Sequence, residues 1–401
     1  MHIPRAEGTC ALRKGLTNSS KQKLGEARSP VMSCDPPTHV FVGCYTNSHA
    51  HIRGDKTGDG VYVLKLNGDG SLTHLSMHES VDPSFVCSDG RFLYAANEIE
   101  GGGVTAFSID QASGALTKLN ERATGGDHTC HLMLNGDSSL VVAANYSGGS
   151  VACFPIGEDG SLGERGGFMQ FEGTGPDAAR QEAAHAHQSV FSASGAFVYV
   201  PDLGSDKVRQ LRVAAGGALE EIPGAPSCEV AVPGCGPRHL AFHPALPFAY
   251  NIHEMGNSVS ALSHDAGSGR LAVLQTLSTL PEGYEGVREG CTSLTKSHCA
   301  DVHVSPDGRF LYGSNRGHDS IVIFAIDQAA GTLSLVGHTY VGGSIPRSFG
   351  ITPNGEFMLV ACQDTHTINT FAVDKATGLL TNTGHTVEVG SPVCVCFAAL
   401  G

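Results

Sequence analysis

Five side chains in this sequence combine anion-handling chemistry with a spacing that gathers them: His187, Arg238, Glu254, Arg316 and Arg347. Arginine offers a rigid fork of donors that matches a carboxylate or a phosphate. A Glu or His beside it can take a proton from water and return it to a leaving oxygen. Taken singly, each has a plainer reading: a solvated turn arginine, a hydrogen-bonded histidine, a salt-bridged glutamate. Three arginines focused in one place, in a chain of net charge −14, are costly unless something anionic sits among them.

What brings them together is a repeat. An apolar residue opens a strand after a turn at Val40, Phe92, Leu140, Phe197, Phe248, Phe310 and Phe357, at gaps of 52, 48, 57, 51, 62 and 47 residues. His187, Arg238 and Arg347 each stand ten residues before such a marker, and Glu254 and Arg316 stand six after one. In an antiparallel pair the start of one strand lies beside the end of its partner. Both registers therefore reach the same end of the fold, and one Glu, one His and three Arg from four neighbouring repeats are expected to converge there.

The repeat also sets the fold. Ser305-Pro306-Asp307-Gly308 before an alternating apolar run is a hairpin signal, and each copy closes on a Gly-x-Leu turn such as Gly160-Ser161-Leu162 or Gly378-Leu379-Leu380. Seven copies near the roughly 40–50 residues of a four-stranded propeller unit predict an all-β, seven-bladed β-propeller. No blade buries its faces alone, so residues 37–401 are read as one domain. The copy at Val40 lacks the strand that normally precedes the turn, and Ser391–Phe397 supplies an orphan that mirrors Ile345–Ile351. The C-terminal strand is thus expected to complete the first blade and leave no long unpaired edge. Two connections, 171–187 and 280–298, are longer than the rest and precede inner strands, so both are expected to open on the same end as the five side chains.

Composition narrows the partners. No basic run resembles a nucleic-acid footprint and no apolar run approaches 18 residues, so neither nucleic acid nor a membrane is expected to bind. The thirteen Cys are scattered, without a Cys-x-x-Cys pair, which reads as free thiols in a reducing, cytoplasmic setting; Cys394 and Cys396 share a strand face and are read as packing. Residues 1–36 carry six Lys or Arg against three acids, show no strand pattern and lack a secretory apolar core; they are read as a disordered basic tail outside the fold.

Further polar residues are sorted by the same ruler. His185 shares a strand face with His187, so it either lines the site as a substrate contact or orders the loop. His131 and His239 lie one residue past the inner-strand register and are expected to point away; His303 is read as structural. Asn97, Asn145, Asp202 and Asn315 all stand five after a marker, which reads as blade-turn chemistry. Metal binding needs convergent acids or paired His, and the arginine excess argues against a cation.

Stretches including His185-Ala186-His187-Gln188-Ser189-Val190, Gly236-Pro237-Arg238-His239-Leu240-Ala241-Phe242-His243-Pro244, Ala300-Asp301-Val302-His303-Val304 and Ser314-Asn315-Arg316-Gly317-His318-Asp319 resemble the lactonase seven-bladed β-propeller family over essentially all of residues 37–401. That family contains propeller-type 6-phosphogluconolactonases and fungal enzymes that lactonise muconates. The resemblance implies a site without metal or cofactor, with catalytic roles for His187, Arg238, Glu254 and Arg316 and a substrate contact at Arg347. Two departures, Gln188 where Ser is usual and Cys235 before the Gly-Pro-Arg motif, are expected at the pocket edge. The expected substrate is small and anionic, a phosphosugar lactone or a dicarboxylate. The reading is lactone hydrolysis, most simply of 6-phosphogluconolactone, with either Glu254 or His187 as base. The alternatives are muconate-type lactonisation on the same site, a propeller that only binds proteins, and a calcium-dependent lactonase, which would need a ring of acids and amides at the axis.

Overall fold

The structure is a computed structural model, and it describes residues 39–47, 57–230, 232–284, 286–288 and 294–398. The expectation for the basic tail lies outside the described residues.

Seven antiparallel sheets follow one another along the chain, each built from four strands or slightly more. Their first strands pack against one another around the central axis, from Pro83–Ser88 in the second blade through Pro346–Ile351 in the seventh. Their last strands face solvent: Leu72–Glu79 is mostly exposed and has no buried residue, whereas Phe92–Asn97 is nearly all buried. The only helical element among the described residues is a single 3-10 turn at Ala215–Gly217. The first blade closes as the sequence predicts: C-terminal Pro392–Ala398 pairs antiparallel with His39–Cys44, pinning the two ends of the propeller in one sheet.

The recurrence of the marker has a packing cause. The residue two places after it is Tyr at Tyr94, Tyr199, Tyr250 and Tyr312, all fully buried. Each phenol donates to the carbonyl of the glycine in the next blade's Gly-turn: Gly160 at 3.0 Å, Gly269 at 2.8 Å, Gly331 at 3.1 Å and Gly378 at 3.0 Å. The marker ring covers the same glycine. At Gly378, where φ is +76°, an added Cβ would lie 2.5 Å from the Phe310 ring. Marker, tyrosine and Gly-x-Leu turn are therefore one interblade clasp. A buried ring contributes about 1.5–3 kcal/mol from its burial alone.

Blade four departs from the pattern. Its innermost strand shortens to Val190–Phe191, preceded by a single bridge between Ala186 and Asp202. Its outer edge is split into Leu219–Glu221 and Ser227–Glu229, because Pro223 and Pro226 fall between them and cannot donate to a ladder.

One irregularity positions the site. In blades two, three, five, six and seven the inner strand carries a register shift at its start, as between Thr129 and His131, Pro237 and His239, and Pro346 and Ser348. One extra residue there, Cys130, Arg238 or Arg347, opposes nothing on the neighbouring strand. Such a bulge breaks strict alternation, so that consecutive side chains can serve the same side.

Candidate active site

Glu254 sits in the turn that follows Phe248–His253, buried at the mouth of the central channel. Its Oε2 accepts from Arg238 Nε at 2.9 Å and Arg316 Nη2 at 2.8 Å, and its Oε1 accepts from Arg180 Nη2 at 2.7 Å. His187 Nε2 stands 3.9 Å from Oε2. Burial alone would raise the Glu254 carboxyl, but Arg316, Arg180 and Arg238 together hold it well below the usual carboxylate range. It is therefore ionised. His187 is driven the other way, well below the ordinary imidazole value, by burial first and then by Arg238 and His239. Its ring is neutral, packed edge-on to Tyr146 at 5.3 Å and to His239 at 5.4 Å.

A cavity of about 480 Å³ opens over these groups, lined by Arg180, His187, Glu254, Arg316 and Arg347 together with Glu98 and Tyr146. Beneath it is a pocket of about 20 Å³, walled by Arg238, His239 and Cys130, room for about one water. Arg347 donates to Tyr45 Oη at 2.9 Å, and that phenol donates in turn to Glu98 Oε2 at 3.0 Å. Arg316 also donates to the Cys299 carbonyl at 2.8 Å, while its Nε is buried with no partner among the described residues, as are Nδ1 of His128 and Nδ1 of His298 on the cavity wall. Unmet buried donors and acceptors are costly unless something polar completes them. Counted formally over the cavity and the small pocket together, four arginines, Arg180, Arg238, Arg316 and Arg347, face two carboxylates, Glu254 and Glu98, a surplus of two positive charges. Among the described residues, no group of three His, Cys, Asp or Glu is placed to hold a metal ion.

Of the five residues picked by register, His187, Glu254, Arg316 and Arg347 line one cavity, and Arg238 joins them from the small pocket through its bond to Glu254. His185 behaves otherwise: its ring stacks on Tyr146 at 4.7 Å and its nitrogens meet the Tyr146 carbonyl and Glu182. It backs the cavity wall and orders the loop and does not line the cavity as a substrate contact, because regular strand begins only at Val190 and the expected alternation does not hold at 185–187. His131 and His239 correct the expectation that they point away. The bulge turns both inward, and their rings lie 5.5 Å apart inside the channel. The two sequence departures sit off the cavity wall: Gln188 Oε1 accepts Leu240 N–H across the blade boundary at 2.6 Å, and the Cys235 carbonyl accepts Met255 and Gly256 N–H. The ten described cysteines are free thiols, and Cys394 and Cys396 pack in the core between blades one and two.

Several site residues escaped the sequence reading, although the same ruler reaches most of them. Glu98 and Tyr146 stand six after Phe92 and Leu140, and Cys130 ten before Leu140. Arg180 comes from the long 171–187 connection and has no repeat signal. Asp301 is the other omission. It is buried on the inner strand His298–Val304 and accepts from His239 Nδ1 at 2.8 Å, Val302 N–H, Ser348 Oγ, Phe349 N–H and His303 Nε2. With Nδ1–H committed to Asp301, His239 Nε2 carries the lone pair that accepts from Arg238 Nη1 at 3.2 Å. Burial lowers the His239 ring to about 4, with Arg238 adding to it against the pull of Asp301, so it is neutral in this role.

Asp301 clasps blades five, six and seven at the axis and sets the arginine beside Glu254. Burial opposes its charge, but His303 and His239 hold it well below the usual carboxylate range. Because the folded value lies under the unfolded one of about 3.9, its contribution is complete above that pH and is lost as pH falls through the folded value. Asp301→Asn is expected to cost about 3 kcal/mol at neutral pH, since an amide N–H₂ would face donors, and to flatten the acid limb of stability. Denaturant unfolding at several pH values reads both effects; an unchanged midpoint at pH 7 would refute the clasp.

Comparison with known proteins agrees with this architecture. The family model for the lactonase, seven-bladed β-propeller matches residues 39–397. The chain is 34% identical to the 6-phosphogluconolactonase of Bacillus subtilis over 314 residues, 77% of this chain and 83% of that protein. It is 33% identical to that of Formosa agariphila over 322 residues, covering 78% and 86%. The solved periplasmic gluconolactonase of Pseudomonas aeruginosa superposes with a TM-score of 0.80 at 34% identity, over 90% of this chain and 99% of that one. With its seven blades, its end-to-end clasp and this match over nearly every described residue, the chain belongs to the lactonase family of seven-bladed β-propellers.

Proposed function

We propose that this protein hydrolyses a phosphorylated sugar lactone, 6-phosphogluconolactone, without a metal ion or cofactor. The observation that carries the reading is the charge of the site: three arginines on the cavity wall and Arg238 in the small pocket, against two carboxylates, with His187 neutral beside them. A surplus of two matches a phosphate monoester of about −1.5 to −2. The relatives named for 6-phosphogluconolactonase activity support the same substrate.

Glu254 is the base. It takes a proton from water as the water oxygen attacks the ring carbonyl carbon. The oxyanion that forms is met by Arg316, whose buried Nε lacks a partner among the described residues. The bond from the carbonyl carbon to the ring oxygen then breaks, and that oxygen takes a proton back from the Glu254 carboxyl. The acid produced ionises, releasing one proton per ring opened. Neutral His187, within 4 Å of Glu254, orients the water. A base so placed is worth roughly 10²–10⁴-fold, sufficient for a lactone that already opens unaided. The free buried thiols favour a reducing, cytoplasmic setting.

The test is proton release from freshly prepared 6-phosphogluconolactone, corrected for spontaneous opening, with and without chelator. The expected result is acceleration that chelator leaves intact. No acceleration would overturn the substrate assignment and move the trial to dicarboxylates, since the same arginines suit two carboxylates. Loss with chelator would overturn the metal-free site.

A further inference from the structure

The three arginines on Glu254 are not equivalent. Arg238 and Arg316 are carried by blades five and six, are 3% and 8% exposed, and share one carboxylate oxygen, Oε2. Each is also anchored to a backbone carbonyl, Arg238 on Ala300 and Arg316 on Cys299. Arg180 is carried by the 171–187 connection, is 38% exposed, and is the single partner of Oε1 among the described residues. Among the described residues its other bond is a long one to Tyr146 Oη at 3.3 Å.

The turn beneath Arg180 is firm. Arg180 and Gln181 N–H both close on the Asp177 carbonyl, and Gln181 Nε2 is tied to Leu203 O at 2.8 Å and Asp206 Oδ1 at 2.7 Å. Asp206 in turn accepts the N–H groups of Gly234 and Gly236, next to the Gly-Pro-Arg motif. The Arg180 guanidinium can therefore leave Glu254 by side-chain rotation alone, with the backbone held.

This arrangement poses a chemical problem for the reading of Glu254 as base. Oε2 is occupied by two anchored arginines, so a proton can be taken only on Oε1, and Oε1 is covered by Arg180. Resting on that reading, we propose that Arg180 is an exchangeable counter-ion, which the substrate's phosphate draws off Glu254, so that binding the phosphate uncovers the oxygen that deprotonates water. Arg180 is then the residue that distinguishes a phosphorylated lactone from an unphosphorylated one. In the free protein it suppresses the base, and it is released by the correct ligand. A guanidinium exchanges readily here because it trades one charge-assisted bond for another, bidentate one.

The electrostatics agree in direction. The groups facing Glu254 are Arg238 from its own blade, Arg316 and His298 from blade six, and Arg180, His187 and the Tyr146 phenol from blades three and four. His187 and His298 are both pushed down, His298 to about 4, so neither changes charge near neutral pH. Removing the Arg180 charge leaves Glu254 less depressed.

The experiment compares the wild type with Arg180→Gln and Arg180→Lys on 6-phosphogluconolactone and on δ-gluconolactone. For Arg180→Gln, the ratio of kcat/KM between the two lactones is expected to fall at least tenfold, with most of it restored in Arg180→Lys. The acid limb of kcat/KM is expected to move to higher pH in Arg180→Gln, because the free enzyme's base now protonates more readily. The acid limb of kcat is expected to stay, because Arg180 has already left Glu254 in the complex. Equal losses on both lactones, or an unmoved kcat/KM limb, would overturn the proposal. Calorimetry with 6-phosphogluconate and gluconate tests the phosphate contact independently of turnover. The wild type is expected to bind the phosphorylated acid at least tenfold more tightly and Arg180→Gln to lose that preference. A wild type that turns over neither lactone but shows this preference refutes the hydrolytic reading and supports the phosphate contact. One that binds both acids equally refutes the proposed exchange.

Discussion

Glu254→Gln is expected to lower kcat/KM for lactone opening by about 10²–10⁴-fold, the full worth of a positioned general base. The amide keeps the size of the side chain and one acceptor, and that acceptor can stay on Arg238 and Arg316, the two anchored arginines. Its N–H₂ then faces Arg180, which is half in solvent and can turn away. The fold therefore survives, although three guanidinium groups lose their shared counter-charge at a cost of about 3 kcal/mol. His187→Gln is expected to lose several-fold less, since the neutral ring orients water and carries no proton in the proposed reaction. Initial-rate assays of both variants, with a denaturation midpoint for each, decide the matter. Near-full activity in Glu254→Gln with loss in His187→Gln would reassign the base to the imidazole.

Arg316→Met separates activity from stability. Removing a donor aimed at the oxyanion is expected to cost about 10²–10³-fold in kcat. The same change is expected to leave the thermal midpoint equal to the wild type's or above it. Burial pushes the Arg316 guanidinium down to about 10, and Arg238 and Arg347 add to that against the pull of Glu254. Its charge thus weakens the folded state, and its Nε is unmet. Glu254 keeps Arg238 and Arg180 when Arg316 is gone, and methionine fills the space with an apolar chain. Such an exchange of stability for function is common at active sites. A kcat within about fivefold of the wild type would refute the oxyanion role, and a midpoint several degrees lower would refute the electrostatic account.

Much of this protein was legible because a propeller repeats one solution. The marker residues Phe92, Phe197, Phe248 and Phe310 recur because each covers a neighbouring glycine or opens the strand whose tyrosine does, and that contact fixes the distance from marker to channel. A register counted from the marker therefore found Arg238, Glu254, Arg316, Arg347 and His187 without a structure. It also contained Glu98, Tyr146 and Cys130, which share those positions in blades two and three. Their residue types do not by themselves point to an anion.

The sequence by itself determined the number of blades, their closure by the C-terminal strand, and the end of the propeller at which the arginines gather, because these follow from period and alternation. Three things were decided only by the tertiary structure. The inner-strand bulge placed His131 and His239 inside the channel, since one unpaired residue reverses the facing of those after it without any mark in the sequence. Asp301 joined three blades at the axis, since its donors come from residues as far apart as His239 and Phe349. Arg180 reached Glu254 from a connection outside the repeat, since a loop pinned at Gln181 by Asp206 obeys no period. Periodicity reports what each repeat does alike, and the chemistry at this mouth depends on where the repeats differ.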